Sequence, residues 1–482
     1  SQIENLAYQK GLAFIPEYLE FISMPCDAHY PEQLEPNLQW LETAFTQRGF
    51  QTRRLPTEGI PILLAERLVE NAEKTILFYM HVDGQPVDSS KWNQPNPYIP
   101  ALKMQDESGN WEIIDRNRLL ASIDPEWRVF ARAAADDKGP ISMFLAAWDA
   151  AQEVGISPNY SIKVFLDPEE EIGSPNLLAA LETYRNDLQA DGLIIMDGPM
   201  HASNEPTLTF GARGIASLTL TVHGPIGPQH SGHYGNYIPN PAVRLAQLIA
   251  SMKDEQGRVQ IAGFYDGILL DSTIKAQLAL VPEDETTLHR RLGIGSVDKV
   301  GENLQEAIQY PSLNVRGMGA AWIGKETRTI IPASATAEID IRLVQESDPS
   351  RLIQLIQTHI QDQGYHILQG DPTQEERLSF PKLCTMNSRI SYQAFRTPME
   401  GELGTWLREG LTQSFGKVPL SLRTMGGSVP ISPMIQALGI PAVILPLVNS
   451  DNNQHSPNEN LRMGNYLTGI QSLVGVFQTP IR

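Results

Sequence analysis

The chain has 482 residues, enough for about two to four domains and a sizeable buried core. Hydrophobic residues make up 41% and charged residues 19%, a balance that excludes an intrinsically disordered chain. The formal net charge of −19 argues against nucleic acid or an anionic membrane as partner, because phosphate attracts Lys and Arg.

Residues from about Asn5 to Arg48 read as helices, broken near Met24-Pro25-Cys26. Strand-like and helix-like pieces then alternate. Thr75 to Met80, Ser161 to Leu166 and Gly192 to Met196 are short apolar strands, with helices at Ile141 to Gln152 and Asn176 to Tyr184 between them. That rhythm predicts an α/β fold with a mostly parallel central sheet and helices on both faces. In such a sheet, polar residues just past the carboxyl ends of the strands form the ligand site. The stretch Gly84 to Arg128, rich in Pro, Asn, Trp and charge, reads as a long loop or hairpin excursion, either a surface insertion or a lid.

From about Gly214 the pattern changes. Ala216 to Val222 and Ala335 to Leu343 alternate with period two, while Pro241 to Met252 and Pro349 to Gln363 read as helices. A polar, irregular middle runs from Lys253 to Tyr310. These pieces form a smaller α+β unit inserted into the first. The expected boundaries are 1–212 and 389–482 for the two parts of the catalytic domain, with the insert at 213–388. Ala442 to Leu447 returns to a buried strand; the apolar run around it, Ile440 to Val448, is too short and proline-broken to span a membrane. Cys26 and Cys384 make neither a disulfide framework nor a thiolate cluster and are expected as free thiols. The cytoplasm is the expected compartment.

Five segments carry acids and histidines near strand ends: His81-Val82-Asp83, Asp136-Asp137, Asp167 to Glu171, Asp197-Gly198-Pro199, and His455 to Glu459. Each alone has an ordinary explanation: a hydrogen-bonded strand-end histidine, a helix cap, a solvated acidic loop, a turn aspartate, a surface histidine. Together they converge on one sheet edge. Two histidines with several carboxylates suit zinc or another divalent transition metal, manganese or cobalt included. Asp83, two residues from His81, faces the same side of a strand and is placed to fix the imidazole. A pair of cations needs a shared anionic bridge, and one carboxylate must remain as general base for water.

At this point the chain resembles a known family: the co-catalytic metallopeptidases that include carnosinases, cytosolic dipeptidases, carboxypeptidase G, acetylornithine deacetylase and succinyl-diaminopimelate desuccinylase. The resemblance rests on HVDGQP, ARAAADDKG, EEEIGS, MDGP, GARG, HSGHYGN, NPA, RTIIPA, IDIRLV, GGSVP and HSPNEN, in order from His81 to Glu459. It implies two divalent metal ions. Asp136 would bridge them, with His81 and Asp197 on one and Glu171 and His455 on the other. Glu170 would be the general base and Asp83 the residue orienting His81. The Asp136–Asp137 peptide bond would be cis.

In the inserted lid and dimerisation domain, the resemblance implies that His230 reaches the active site of a partner subunit in a homodimer. Thr329, Arg342 and Ser428 would contact substrate, Arg342 by clamping the substrate's carboxylate. Asn240 is a further substrate candidate, unless it merely caps the helix after it. The implied activity is hydrolysis of an amide bond in a dipeptide or small peptide with a free carboxylate; deacylation of an N-acyl amino acid is the alternative, and a non-catalytic binding module the remaining one. The chain departs from the family at Met80, where glycine is usual and where bulk would narrow the site or shift a strand. It also departs at Ala131-Arg132-Ala133 and in the long Pro95 to Phe130 segment.

Overall fold

The computed structural model describes residues 1–482. The chain forms two compact units: residues 1–211, 396–423 and 433–482 in the first, and 212–395 with 424–432 in the second.

The first unit is built on an eight-stranded sheet. Its strands lie in the order Gln51–Leu55, Ile62–Arg67, Ser161–Asp167, Thr75–His81, Gly192–Ile195, Ala442–Ile444, Thr207–Thr209 and Leu420–Leu422. The central run from Ser161–Asp167 to Ala442–Ile444 is parallel throughout. Its strands are buried along nearly their whole length, as expected where both faces of a parallel sheet are covered, and so they read as continuous apolar runs rather than alternating ones. The helices Gln2–Ile22, Lys138–Glu153, Glu402–Phe415 and Met463–Gln478 pack into the same hydrophobic core. The first of them starts at a capping box in which Ser1 and Glu4 satisfy each other's backbone N–H groups.

Met80 is fully buried in that core, and strand Thr75–His81 keeps an unbroken register with Ser161–Asp167 through Met80 and His81. Side chains alternate across a strand, so the bulk at position 80 is spent in the core and the site beside His81 is left alone. The pairing carries no bulge or irregularity at Met80.

The Gly84 to Arg128 stretch contains a hairpin, Ala101–Gln105 with Trp111–Ile114, as the second of its two readings expects, and more order besides. Strands Ala101–Gln105, Trp111–Ile114 and Arg128–Phe130 join Asn460–Arg462 in a four-stranded antiparallel sheet. The sequence conceals the fourth strand because its pairing with Arg128–Phe130 joins residues more than three hundred positions apart, as in Asn460 opposite Phe130.

The second unit is a five-stranded sheet in the order Ser312–Gly319, Ser334–Leu343, Gly214–His223, Leu383–Tyr392 and His366–Leu368. All pairs but the last are antiparallel. Helices Pro241–Met252 and Pro349–Asp362 cover one face, burying Leu245, Leu248, Leu352 and Ile356 against Leu218, Ile339 and their neighbours. Each helix begins with proline after a capping side chain, Asn240 or Asp348. Residue 388 falls inside strand Leu383–Tyr392, which carries this unit on to Phe395. The polar middle holds short helices, Ser272–Ala279 and Glu285–Leu292, each capped by an aspartate. No helix is long and apolar enough to cross a membrane. Cys26 and Cys384 are buried free thiols.

Candidate metal centre

Three parallel strands end at the same sheet edge, and the residues just past them build the site. His81 is the last residue of Thr75–His81. Glu170 and Glu171 open a short turn after Ser161–Asp167, and Asp197 follows Gly192–Ile195. Asp136 lies just ahead of helix Lys138–Glu153, and its peptide bond to Asp137 is cis. His455 comes from a loop beyond Ala442–Ile444 and has a positive φ of 62°.

Asp136 sits between the two histidines. Its Oδ1 is 2.8 Å from His81 Nε2, and its Oδ2 is 3.1 Å from His455 Nε2. His81 Nε2 is also 3.6 Å from both Glu170 Oε2 and Asp197 Oδ2. His455 Nε2 is 3.2 Å from Glu171 Oε2. The other ring nitrogen of His81 lies 3.0 Å from the backbone carbonyl of Asp83, which leaves Nε2 directed into the cluster. The Asp83 carboxylate is 3.5 Å from that same nitrogen. Its closer contacts are to the backbone N–H groups of Glu170 and Glu171, at 3.1 and 2.9 Å.

So many carboxylates in one buried place disturb each other. Burial, with Asp197, Glu171 and Asp136 nearby, pushes the Glu170 carboxyl well above its ordinary range against the pull of His81. Burial likewise raises Glu171 to about 7 and Asp83 to about 6. For Asp136, burial acts upward, but the charge on His81 and the hydrogen bonds from His455 and His81 outweigh it and hold the carboxyl well below the usual range. Hydrogen bonds to Asp136 and Glu171 raise His455 to about 10.

This donor set fits divalent cations. Donor atoms of Asp136, Glu171 and His455 lie within 4.8 Å of one another, as do those of His81, Glu170 and Glu171, and those of His81, Asp137 and Asp197. Glu171 Oε1 is buried without a hydrogen-bond partner, the condition of an oxygen that needs a cation. Each Asp136 oxygen faces a different imidazole, as a bridging carboxylate would.

Three residues near the site escaped the sequence reading. Asp137 caps its helix without a side-chain cap bond; its Oδ2 accepts the His81 N–H at 3.0 Å, and its Oδ1 is buried and unpartnered. Gln85 donates to Glu171 Oε2 at 2.6 Å. Glu459 accepts the backbone N–H groups of Ala135 and Asp136 at 3.0 and 2.9 Å. The available signals were weak: an acid adjacent to a ligand reads as a cap, and Glu459 was visible only as the acid ending the His455 segment.

Of the residues expected to meet substrate, the second unit brings Arg342 and Ser428 together, with Arg342 Nη1 donating to the Ser428 hydroxyl at 2.9 Å. Arg213 lies close by; burial and the charge of Arg342 bring its guanidinium down to about 10, and it donates to the carbonyls of Gly426 and Tyr310. His230 and Thr329 are neighbours at another place, where strands Gln229–His230 and Ile330–Ile331 pair and the Ser231 N–H donates to the Thr329 carbonyl. Both are exposed, and the His230 ring centroid lies 4.6 Å from that of His233. Asn240 Oδ1 accepts the Ala242 N–H at 2.9 Å, so its side chain is engaged as the cap of helix Pro241–Met252.

Comparison with known proteins accords with this geometry. Residues 210–367 match a family described as the peptidase dimerisation domain. The Cys-Gly metallodipeptidase dug1 of Schizosaccharomyces pombe is 25% identical over 433 residues, covering 85% of this chain and 81% of the yeast protein. The beta-Ala-His dipeptidase of Mus musculus is 26% identical over 433 residues, covering 86% and 79%. The M20 family metallo-carboxypeptidase Sso-CP2 of Sulfolobus solfataricus superposes with a TM-score of 0.74 at 26% identity, over 97% of this chain and 98% of that one.

Proposed function

We propose that the chain, which resembles the M20 family of metallopeptidases, hydrolyses the amide bond of a dipeptide or small peptide carrying a free carboxylate. The single observation carrying this reading is Asp136 with one oxygen turned to each histidine and Glu170 buried beside it. His81 and Asp197 would hold one divalent cation, Glu171 and His455 the other, and Asp136 both. Two imidazoles among carboxylates favour zinc. The chemistry such a pair supplies is a water with its pKa lowered towards about 7 and a polarised amide carbonyl.

The chain's own groups do the rest. Glu170 takes the proton from the attacking water and returns it to the leaving amine, a task suited to a carboxyl that burial holds well above its ordinary range. Asp83 fixes the turn that carries Glu170 by accepting its backbone N–H. Arg342 pairs with the substrate's carboxylate and Ser428 steadies the guanidinium, which sets the preference for substrates with a free carboxyl terminus. His230 and Thr329 contribute further substrate contacts, His230 to the partner's site in a two-fold homodimer formed through the inserted unit. The match to a dimerisation domain supports that assembly. Two buried free thiols suit a reducing, cytoplasmic compartment.

The test is a substrate panel run with and without divalent metal. Metal-dependent cleavage of dipeptides, with N-acyl amino acids turned over poorly, is expected. Preferential turnover of N-acyl amino acids would assign a deacylase instead, and metal-independent cleavage would remove the mechanism.

A further inference from the structure

The residues beneath the metal ligands form a buried ion pair that nothing in the proposed chemistry uses. Arg132 and Glu459 meet at 3.0 Å, with side chains only 3% and 1% exposed. Arg132 Nη1 also donates to the Ser456 carbonyl at 3.0 Å and Nη2 to the Pro86 carbonyl at 3.2 Å, and its guanidinium lies over the Trp92 ring. Glu459 Oε2 accepts the N–H groups of Ala135 and Asp136, and its backbone carbonyl accepts the Ala131 N–H at 3.1 Å. Most of the polar contacts fall on segments that carry the proposed ligands: Pro86 lies five residues after His81, Ser456 is next to His455, and two of the amides are those of Asp136 and the residue before it. A pair serving stability alone has no reason to spend its bonds on those segments.

We propose that Arg132 and Glu459 form a positioning clamp that sets Asp136 against His455, and thereby holds the cation on the His455–Glu171 side. The two sides differ in their other support. His81 ends a strand paired on both flanks, and its N–H is accepted by Asp137. His455 is half-exposed on a loop, with no strand of its own. Asp136 would touch both cations, but the His81 side keeps its own strand support, so breaking the clamp loosens the His455 side far more. The Gly84 to Arg128 stretch acquires a purpose on this view. Its strand Arg128–Phe130 pairs with Asn460–Arg462, directly after Glu459, and the Asn93 N–H donates to Asn458.

This inference rests on the two-cation reading, and the test separates the two. Full-length wild type and the variants Arg132→Met and Glu459→Gln are loaded with cobalt and titrated with a chelator, each released equivalent being followed by its absorption. Wild type should release two equivalents. In both variants one equivalent should be held as in wild type, within about threefold, and the other about ten- to a hundredfold more weakly, the usual cost of losing a ligand's supporting partner. Arg132→Lys should recover part of the difference. Glu459→Gln, close to isosteric, carries the test if Arg132→Met does not fold. Variants that melt earlier yet hold both equivalents like wild type, or lose both equally, overturn the clamp alone. A wild-type chain that takes up no second equivalent overturns the two-cation reading and the clamp with it.

Discussion

The Asp83 carboxylate accepts the backbone N–H of Glu170 at 3.1 Å, closer than its approach of 3.5 Å to the His81 ring. Its second oxygen accepts the N–H of Glu171 at 2.9 Å. The residue expected to orient a histidine therefore holds the turn that presents the proposed general base and one of the proposed metal ligands. Asp83→Ala should lower kcat about ten- to a hundredfold and weaken metal retention, the range typical of lost outer-shell support. Steady-state kinetics and metal analysis after dialysis check this; unchanged values in both would show that the turn holds its shape unaided.

Glu170→Gln removes the proton acceptor while keeping the side chain's size. Turnover should fall about a hundredfold to ten-thousandfold with both metals retained. Metal content and kcat measured on the same preparation decide it, and a rate near wild type would remove Glu170 from its role.

Arg342→Lys keeps the charge but loses the planar fork. KM for peptides with a free carboxyl terminus should rise about ten- to a hundredfold, as expected for a charge-assisted hydrogen bond worth about 1.5–3 kcal/mol. KM for the corresponding peptide amides should change little. Equal changes for acids and amides would detach Arg342 from the carboxylate.

Metal-free protein should lose stability as pH rises from about 4 to about 10. Asp83 and Glu171 have folded pKa values raised to about 6 and about 7, so the folded state holds protons that the unfolded state has already released, and stability is lost as those protons leave. His455, raised to about 10, adds stability that is complete below its ordinary value and is lost as pH climbs through the raised one. The depressed Asp136 works in the opposite sense, but its contribution is complete above its ordinary carboxylate range and falls away only at lower pH. Melting temperatures measured across this range should decline in chelator and decline less with metal present; a rise with pH in chelator would contradict the assignment.

Met80→Ala should cost about 2–5 kcal/mol of stability, since the side chain is fully buried in the core. KM should stay within about twofold of wild type if the residue faces away from the site. Denaturant unfolding and kinetics together test this, and a large KM change at small stability cost would return Met80 to the site wall.

Much of this arrangement was legible because chemistry and periodicity coincided. The apolar strands ending at His81, Asp167 and Ile195 could be read directly, and parallel order places their following residues at one edge. What escaped depends on distant pairing. Strand Arg128–Phe130 escapes the reading because it pairs on one side with Ala101–Gln105 and on the other with the distant Asn460–Arg462. Arg132 and Glu459, likewise, acquire meaning only once residues 327 positions apart are side by side. Asn240 shows the converse case, since its cap bond was readable from the Asn-Pro pair alone.

The most direct test is a crystal structure of the metal-loaded protein with anomalous data collected at the metal's absorption edge. Two peaks about 3.5–4 Å apart are expected. Asp136 should lie between them, one peak beside His81 and Asp197 and the other beside Glu171 and His455. A well-folded crystal with no peak at Asp136, or with metal bound only elsewhere, would contradict the account.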